Sequence, residues 1–310
     1  MVTPYAIAFS GQHWAEVGPP VVATIVYLTL YTRRVGTLAR EGRPVEAWRI
    51  GSFVFGVLTL AAVQIGPLDA LADQRLAIHM AQHLVIGDFC SLFVVLGLTG
   101  PVLQPLLHIR VTRPLRVAAH PLVALALWAV NLYAWHLPFL YQAAIRHDAV
   151  HALEHACFFW FGSLLWLGLI GPLPKPAWFT GWAKVGYVVL VRFWGAVLGN
   201  VLIWAQTVFY PVYRSTDAVR AVNPLSDQNV AGGLMMVEEM ILTTIILGWV
   251  FYKFAEQDEE RQALLDFAQE HGVELSEERA RRAAAAGTTA RLRERMLAGD
   301  ASAGDSLDRD

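Results

Sequence analysis

The sequence predicts an all-α membrane protein: a polytopic bundle of seven transmembrane helices, N-terminus outside and C-terminus cytoplasmic. Three observations carry this. The 310 residues are 55% apolar and only 16% charged, with a mean hydropathy of +0.43, whereas a soluble domain is about a quarter charged. Seven stretches are long and apolar enough for a helix to cross a bilayer core of about 30 Å. Lys and Arg alternate between rich and poor loops along the chain, the pattern that sets membrane orientation.

The expected spans fall near residues 15–32, 47–66, 76–100, 118–137, 149–171, 184–208 and 228–252. The first loop carries Arg33, Arg34, Arg40 and Arg43, with Arg49 just beyond. The third carries Arg110, Arg113 and Arg116, and the fifth Lys175 and Lys184. The loops between them are poorer: Arg75 with Asp69 and Asp73, Arg146 with Asp148, and Arg214 and Arg220 with Asp217. Trp14, Trp135, Trp178 and Trp182 lie near span ends, where interfacial aromatics sit.

The chain divides into two domains. Residues 1–254 form the seven-helix membrane domain, and residues 255–310 a charged, partly helical cytoplasmic tail with 14 of the 26 acids and 8 of the 24 bases. Ser276 is an expected N-cap, with Glu277 and Glu278 in the first turn, and Gly287 breaks the run. The closing "ASAGDSLDRD" is expected to be disordered. The tail reads as a solvated appendage, with docking to a cytoplasmic partner as the alternative. Two cysteines in apolar stretches exclude a disulfide scaffold. "MVTPYAIAFSGQHWAEVG" lacks the basic start and apolar core of a cleavable signal peptide. No phosphate-cradling glycine loop is present, and no nucleic-acid partner is expected.

The chemistry concentrates in histidines. His79 and His83 open the third span; His147, His151 and His155 lead into the fifth; His136 closes the fourth, and His13 precedes the first. All fall at the face expected outside. Residues four apart share a helix face, so His79 with His83 and His151 with His155 form two ligand pairs that can close on one ion. His147 extends the second pair by a turn, and Glu154 lies beside it. Cys90, eleven residues after His79, returns to nearly the same face on ideal geometry. Imidazole suits copper, zinc, nickel and iron, and nearby sulfur favours Cu(I). Met235 and Met236 supply thioether sulfur on the seventh span, where methionine is more often filler.

A second polar set lies deeper. Counted along their helices, Asp88, Arg192, Glu238 and Glu239 reach one depth near mid-membrane. Bare charge there is expensive, so Arg192 is expected to be neutralised by Asp88 or a glutamate. A proton or ion path is the alternative use.

The stretches "HMAQHLVIGDFCSLFVVLGLTGPVLQPLL", "WHLPFLYQAAIRHDAVHALEHACFFWFGSLLW" and "SDQNVAGGLMM" resemble the CtaG-type cytochrome c oxidase assembly factors. The resemblance runs from about residue 10 to residue 250. It places His79, His83, His136, His151 and His155 at the family's histidine positions, and Asp227 and Gln228 at its Asp-Gln pair. It departs where a Trp and Gly-rich element often follows Asp-Gln in the family; this chain has Met235-Met236-Val237-Glu238-Glu239. The resemblance implies a multi-pass protein of the bacterial plasma membrane. Such a protein supplies copper to a haem–copper oxidase subunit, with a copper donor protein as a further candidate partner; as no bond is made or broken in a substrate, it is not expected to be an enzyme. Two rivals remain: a haem b electron carrier, whose facing histidines grip a macrocycle, and an ion or proton transporter built on the deeper set. A retinal protein is set aside, because Lys253 lies at the cytoplasmic edge of the last span.

Overall fold

A computed structural model describes residues 14–298 apart from 66, 110–112, 177, 215–218, 220 and 286. His13, Arg110, Asp217, Arg220 and the closing stretch 301–310 lie outside these residues. Every regular element among them is helical. The chain divides after Thr243 into two compact units.

The first unit opens with α1 (Trp14–Arg40) and α2 (Ala47–Ile65). Tyr31 of α1 stacks on Phe53 of α2 at 3.8 Å and donates to Gly97 O at 2.9 Å. A short α3 (Pro67–Ala72) then leads into one interrupted span: α4 (Leu76–Leu84), a π-helical turn (Val85–Cys90) and α5 (Ser91–Gly97). α6 (Gly100–His108) is capped by the Thr99 hydroxyl, which accepts from Val102 N at 3.4 Å. After α7 (Arg113–Ala118) comes α8 (Pro121–Trp135), which ends shortly before Pro138. Proline disfavours helix in the residue before it, and α9 (Pro138–Arg146) leaves at a bend of 72°. α10 (Asp148–Leu169) packs against α8, α5 and the π-turn. α11 (Gly181–Trp204) and α12 (Pro224–Glu270) complete the series, α12 running past the division.

Five described spans are long and apolar enough to cross a membrane, or six when the bent pair α8–α9 counts as one. The fourth expected span is too short alone, because α8 has only 15 residues. The first does not qualify either: Pro19, Pro20 and the interspersed Thr and Tyr residues leave α1 less apolar than the five others. Its outward face is nonetheless apolar, with Val22, Ile25, Val26 and Leu30 exposed.

The second unit contains the end of α12 together with α13 (Glu277–Ala285) and α14 (Thr289–Leu297). Gly272, at φ +63°, closes α12, and Val273 N bonds back to Ala268 O at 2.9 Å. Leu264, Ala268, Ala283, Leu292 and Met296 form a small core of its own.

Candidate metal centre

α4 brings His79 and His83 to one face, one turn apart, with ring centroids 4.2 Å from each other. α10 does the same for His151 and His155, also at 4.2 Å. The two helices face each other: His79 lies 5.2 Å from His151, and His83 5.4 Å from His155, ring to ring. Glu154 reaches between them, its Oε2 at 3.7 Å from His79 Nε2 and 3.6 Å from His83 Nε2. One donor atom each from His79, His83, His151 and Glu154 all fall within 4.8 Å of one another. His79 and Glu154 have no exposed surface, and His83 and His155 almost none.

The polar atoms here are unpartnered. Both ring nitrogens of His79 and of His83, Nε2 of His151 and His155, and both oxygens of Glu154 are buried without a hydrogen bond. Each such orphan costs about 1–3 kcal/mol. An ion bound at the centre satisfies several at once, so three imidazoles and a carboxylate fit a first-row transition metal.

Close helix contact makes this arrangement possible. A Cβ on Gly162 of α10 would meet Gly87 O, in the π-turn, at 2.0 Å. Only glycine at 162 lets α10 come this near. The π-turn also revises the expectation for Cys90. Its extra residue rotates the later part of the span by roughly 100° relative to an ideal helix. Cys90 is not among the donors: besides that rotation it lies seven residues, about 10 Å of helix, beyond His83, and is buried where its carbonyl sits against Gly56 of α2.

His136 stands apart from the four donors, at the break between α8 and α9. Its Nδ1 lies 2.7 Å from Leu132 O, and its Nε2 is buried and unpartnered. Its ring is 6.2 Å from Phe158, whose ring is 4.4 Å from His83. His147 is exposed at the start of α10. Met236 lies on the α11–α12 seam, where its Sδ accepts from Asn200 Nδ2 at 3.4 Å, and Met235 is buried on α12. The Asn200 contact keeps Met236 Sδ on the seam, and no sulfur ligand is assigned.

A match to a known family adds to this geometry. The family model described as "Cytochrome c oxidase caa3 assembly factor (Caa3_CtaG)" matches residues 29–257, well over half of the chain. The chain belongs to the cytochrome c oxidase caa3 assembly factor family. It is also similar to uncharacterized proteins of Mycobacterium bovis and Mycobacterium tuberculosis. Each is 24% identical, over 79% of this chain and 41% of the relative. An uncharacterized protein of Mycobacterium leprae is 22% identical over 77% of this chain and 38% of its own length. The chain thus spans about two fifths of the curated relatives it matches. No solved structure matches it.

In this chain the Asp-Gln pair lies beside the centre, and Asp227 ties into the helix that carries His79. Asp227, at the start of α12, holds Arg75 at 2.8 Å, and Arg75 is the N-cap residue of α4, four before His79. Gln228 accepts from Phe209 N at 2.8 Å and donates to Thr207 O at 3.1 Å. Sequence reasoning missed a tyrosine group beside the histidines. The Tyr141 ring of α9 lies 5.1 Å from His79, and its hydroxyl is 3.0 Å from that of Tyr213. Tyr210 donates to His136 O at 2.8 Å. Burial pushes the Tyr210 and Tyr213 hydroxyls above the ordinary range, so both keep their protons. Part of the signal was present in "FYPVY", but a loop gives no period from which to read direction. Gln82 was missed too: it is fully buried and donates to Val63 O and Asp69 Oδ1, both at 2.7 Å.

The deeper set also meets. Arg192 Nη1 lies 3.1 Å from Glu239 Oε2 and 3.8 Å from Glu238 Oε2, and Nη2 lies 3.7 Å from Asp88 Oδ1. Trp166 Nε1 donates to Asp88 O at 3.1 Å. Gly195 makes room for Glu239, whose Oε1 would lie 1.9 Å from a Cβ there.

Proposed function

We propose that this chain carries copper to a haem–copper oxidase during its assembly, holding the ion at the extracytoplasmic end of a seven-span bundle. The observation that carries this is the set of buried, unpartnered donors on α4 and α10. His79, His83, His151 and Glu154 are the holding ligands, with His155 one exchange step away. An imidazole and carboxylate set binds copper above the other first-row divalent ions. The rings of Phe158 and Tyr141 crowd His83 and His79, which suits a bare ion better than a flat haem. No bond of a substrate changes, so the role is transfer rather than catalysis. The oxidase partner comes from the family, and the donor of the copper is a separate protein.

The seven-span reading adds α1 and the α8–α9 pair to the five straightforward spans. The exposed apolar face of α1 supports it, and the Arg-rich first loop sets the N-terminus outside. The bacterial plasma membrane is the corresponding location.

The test is metal analysis and an optical spectrum of purified protein, repeated on the His79→Ala, His83→Ala double variant. Wild-type protein should bind copper stoichiometrically, and the variant should lose it while remaining in the membrane. Unchanged copper in the variant refutes the site; stoichiometric iron with a Soret band refutes the ion.

A further inference from the structure

The charge cluster around Arg192 takes no part in the copper reading, and its charges do not balance. Three elements converge on it: the π-turn contributes Asp88, α11 Arg192, and α12 Glu238 and Glu239. All four are at least nine-tenths buried. With every acid ionised, the cluster would hold three negative charges against one positive. An excess of two charges in a medium of low dielectric costs far more than binding a proton, which halves the excess to one.

The hydrogen bonds show where the imbalance falls. Glu239 takes a hydrogen bond from Arg192 at 3.1 Å. Asp88 sits 3.7 Å from the other terminal nitrogen. Glu238 accepts nothing at either oxygen, although it is 8% exposed and points at the same guanidinium from 3.8 Å. Arg192, Asp88 and Glu239 are the charged groups that face it. A carboxylate in that position would be the worst satisfied anion of this cluster, whereas a carboxylic acid there adds no charge.

We propose that the cluster is a proton-binding site inside the membrane, with Glu238 carrying an exchangeable proton while Glu239 and Asp88 share Arg192. Its ligand is the proton itself. Uptake forms one O–H bond on the Glu238 carboxyl, and release returns that proton to water. Such a site gives the bundle a proton-coupled step separate from its metal donors.

Infrared difference spectroscopy on the full chain in lipid tests this, alongside thermal unfolding of Glu238→Gln and Glu239→Gln. Gln is uncharged and nearly isosteric with a protonated Glu. Wild-type protein should show the carbonyl stretch of a buried carboxylic acid, shifted in D2O. Glu238→Gln should lose that band yet keep wild-type abundance and melting temperature. Glu239→Gln should keep the band and be destabilised, since it removes the anion bonded to Arg192. No acid band in wild-type protein, no acid band removed by Glu238→Gln, or equal destabilisation of the two variants overturns the proposal; a separate band from buried Glu154 is assigned by its loss in Glu154→Gln. So does failure of Glu238→Gln to fold.

Discussion

Gly162→Ala tests the geometry of the metal centre without touching a ligand. The added methyl would start 2.0 Å from Gly87 O, 2.9 Å from Gly87 C and 3.0 Å from Ser91 Oγ. Two of these neighbours are backbone atoms of the π-turn, so no side chain can swing away. Restoring even a 3.0 Å contact needs about 1 Å of separation between α10 and the π-turn. Overpacking of this kind costs about 1–3 kcal/mol. The same displacement pulls His151 and Glu154 away from His79 and His83, and metal–ligand distances tolerate only about 0.2 Å. Losses of about 10–100-fold, as for disturbed outer-shell partners, are expected in copper affinity. Competition with a chelator of known affinity measures it on purified protein, and thermal unfolding reads the stability. Gly186→Ala on α11, which would meet nothing within 4 Å, is the control. Wild-type affinity in Gly162→Ala would refute the claim that this helix contact sets the site.

Arg192→Ala should strongly reduce membrane abundance, because removing one member of a buried ion pair costs about 3–5 kcal/mol. Exchanging charges through Arg192→Glu with Glu239→Arg should recover part of the loss, and equal abundance of single and double variants would contradict the pairing. Gly195→Ala should mimic a milder form of the same defect, read as a lowered melting temperature, by displacing Glu239. Asp227→Ala should destabilise the protein by about 1–3 kcal/mol, by leaving Arg75 unpaired at the head of α4. Its copper affinity should fall as well, and a titration unchanged from wild type would confine Asp227 to stability.

Periodicity made half of the centre legible. The i,i+4 spacing of His79 with His83 and His151 with His155 defines two faces, and hydropathy fixes the helices that carry them. Counting rise per residue brought Asp88, Arg192, Glu238 and Glu239 to a common depth, and their side chains lie around one guanidinium. Departures from ideal helix could not be read in the same way. The π-turn at Val85–Cys90 leaves no local signature beyond Gly87, because packing against Gly162 and Gly56 helps set it. It carries Cys90 off the face that simple counting gave it. The 72° bend after α8 likewise places Tyr141 over His79, although Pro138 alone announces only a break.

If copper binds as proposed, the wiring behind His79 and His83 suits a carrier rather than a permanent metal site. Histidines that hold a resident metal almost always donate their second ring N–H to a fixed acceptor, which locks the ring and strengthens the ligand. Nδ1 of His79 and of His83 have no such acceptor, whereas His136, outside the four-donor group, has one in Leu132 O. Rings oriented only by packing can turn, and a cluster with His155 close by offers a replacement donor for each bond that breaks. Copper should therefore leave this centre for an external chelator far faster than from a site with a full outer shell. Stopped-flow transfer to excess EDTA measures that rate. Release over hours, with His79 and His83 confirmed as ligands, would assign the ion to the protein's own structure and remove the argument for delivery.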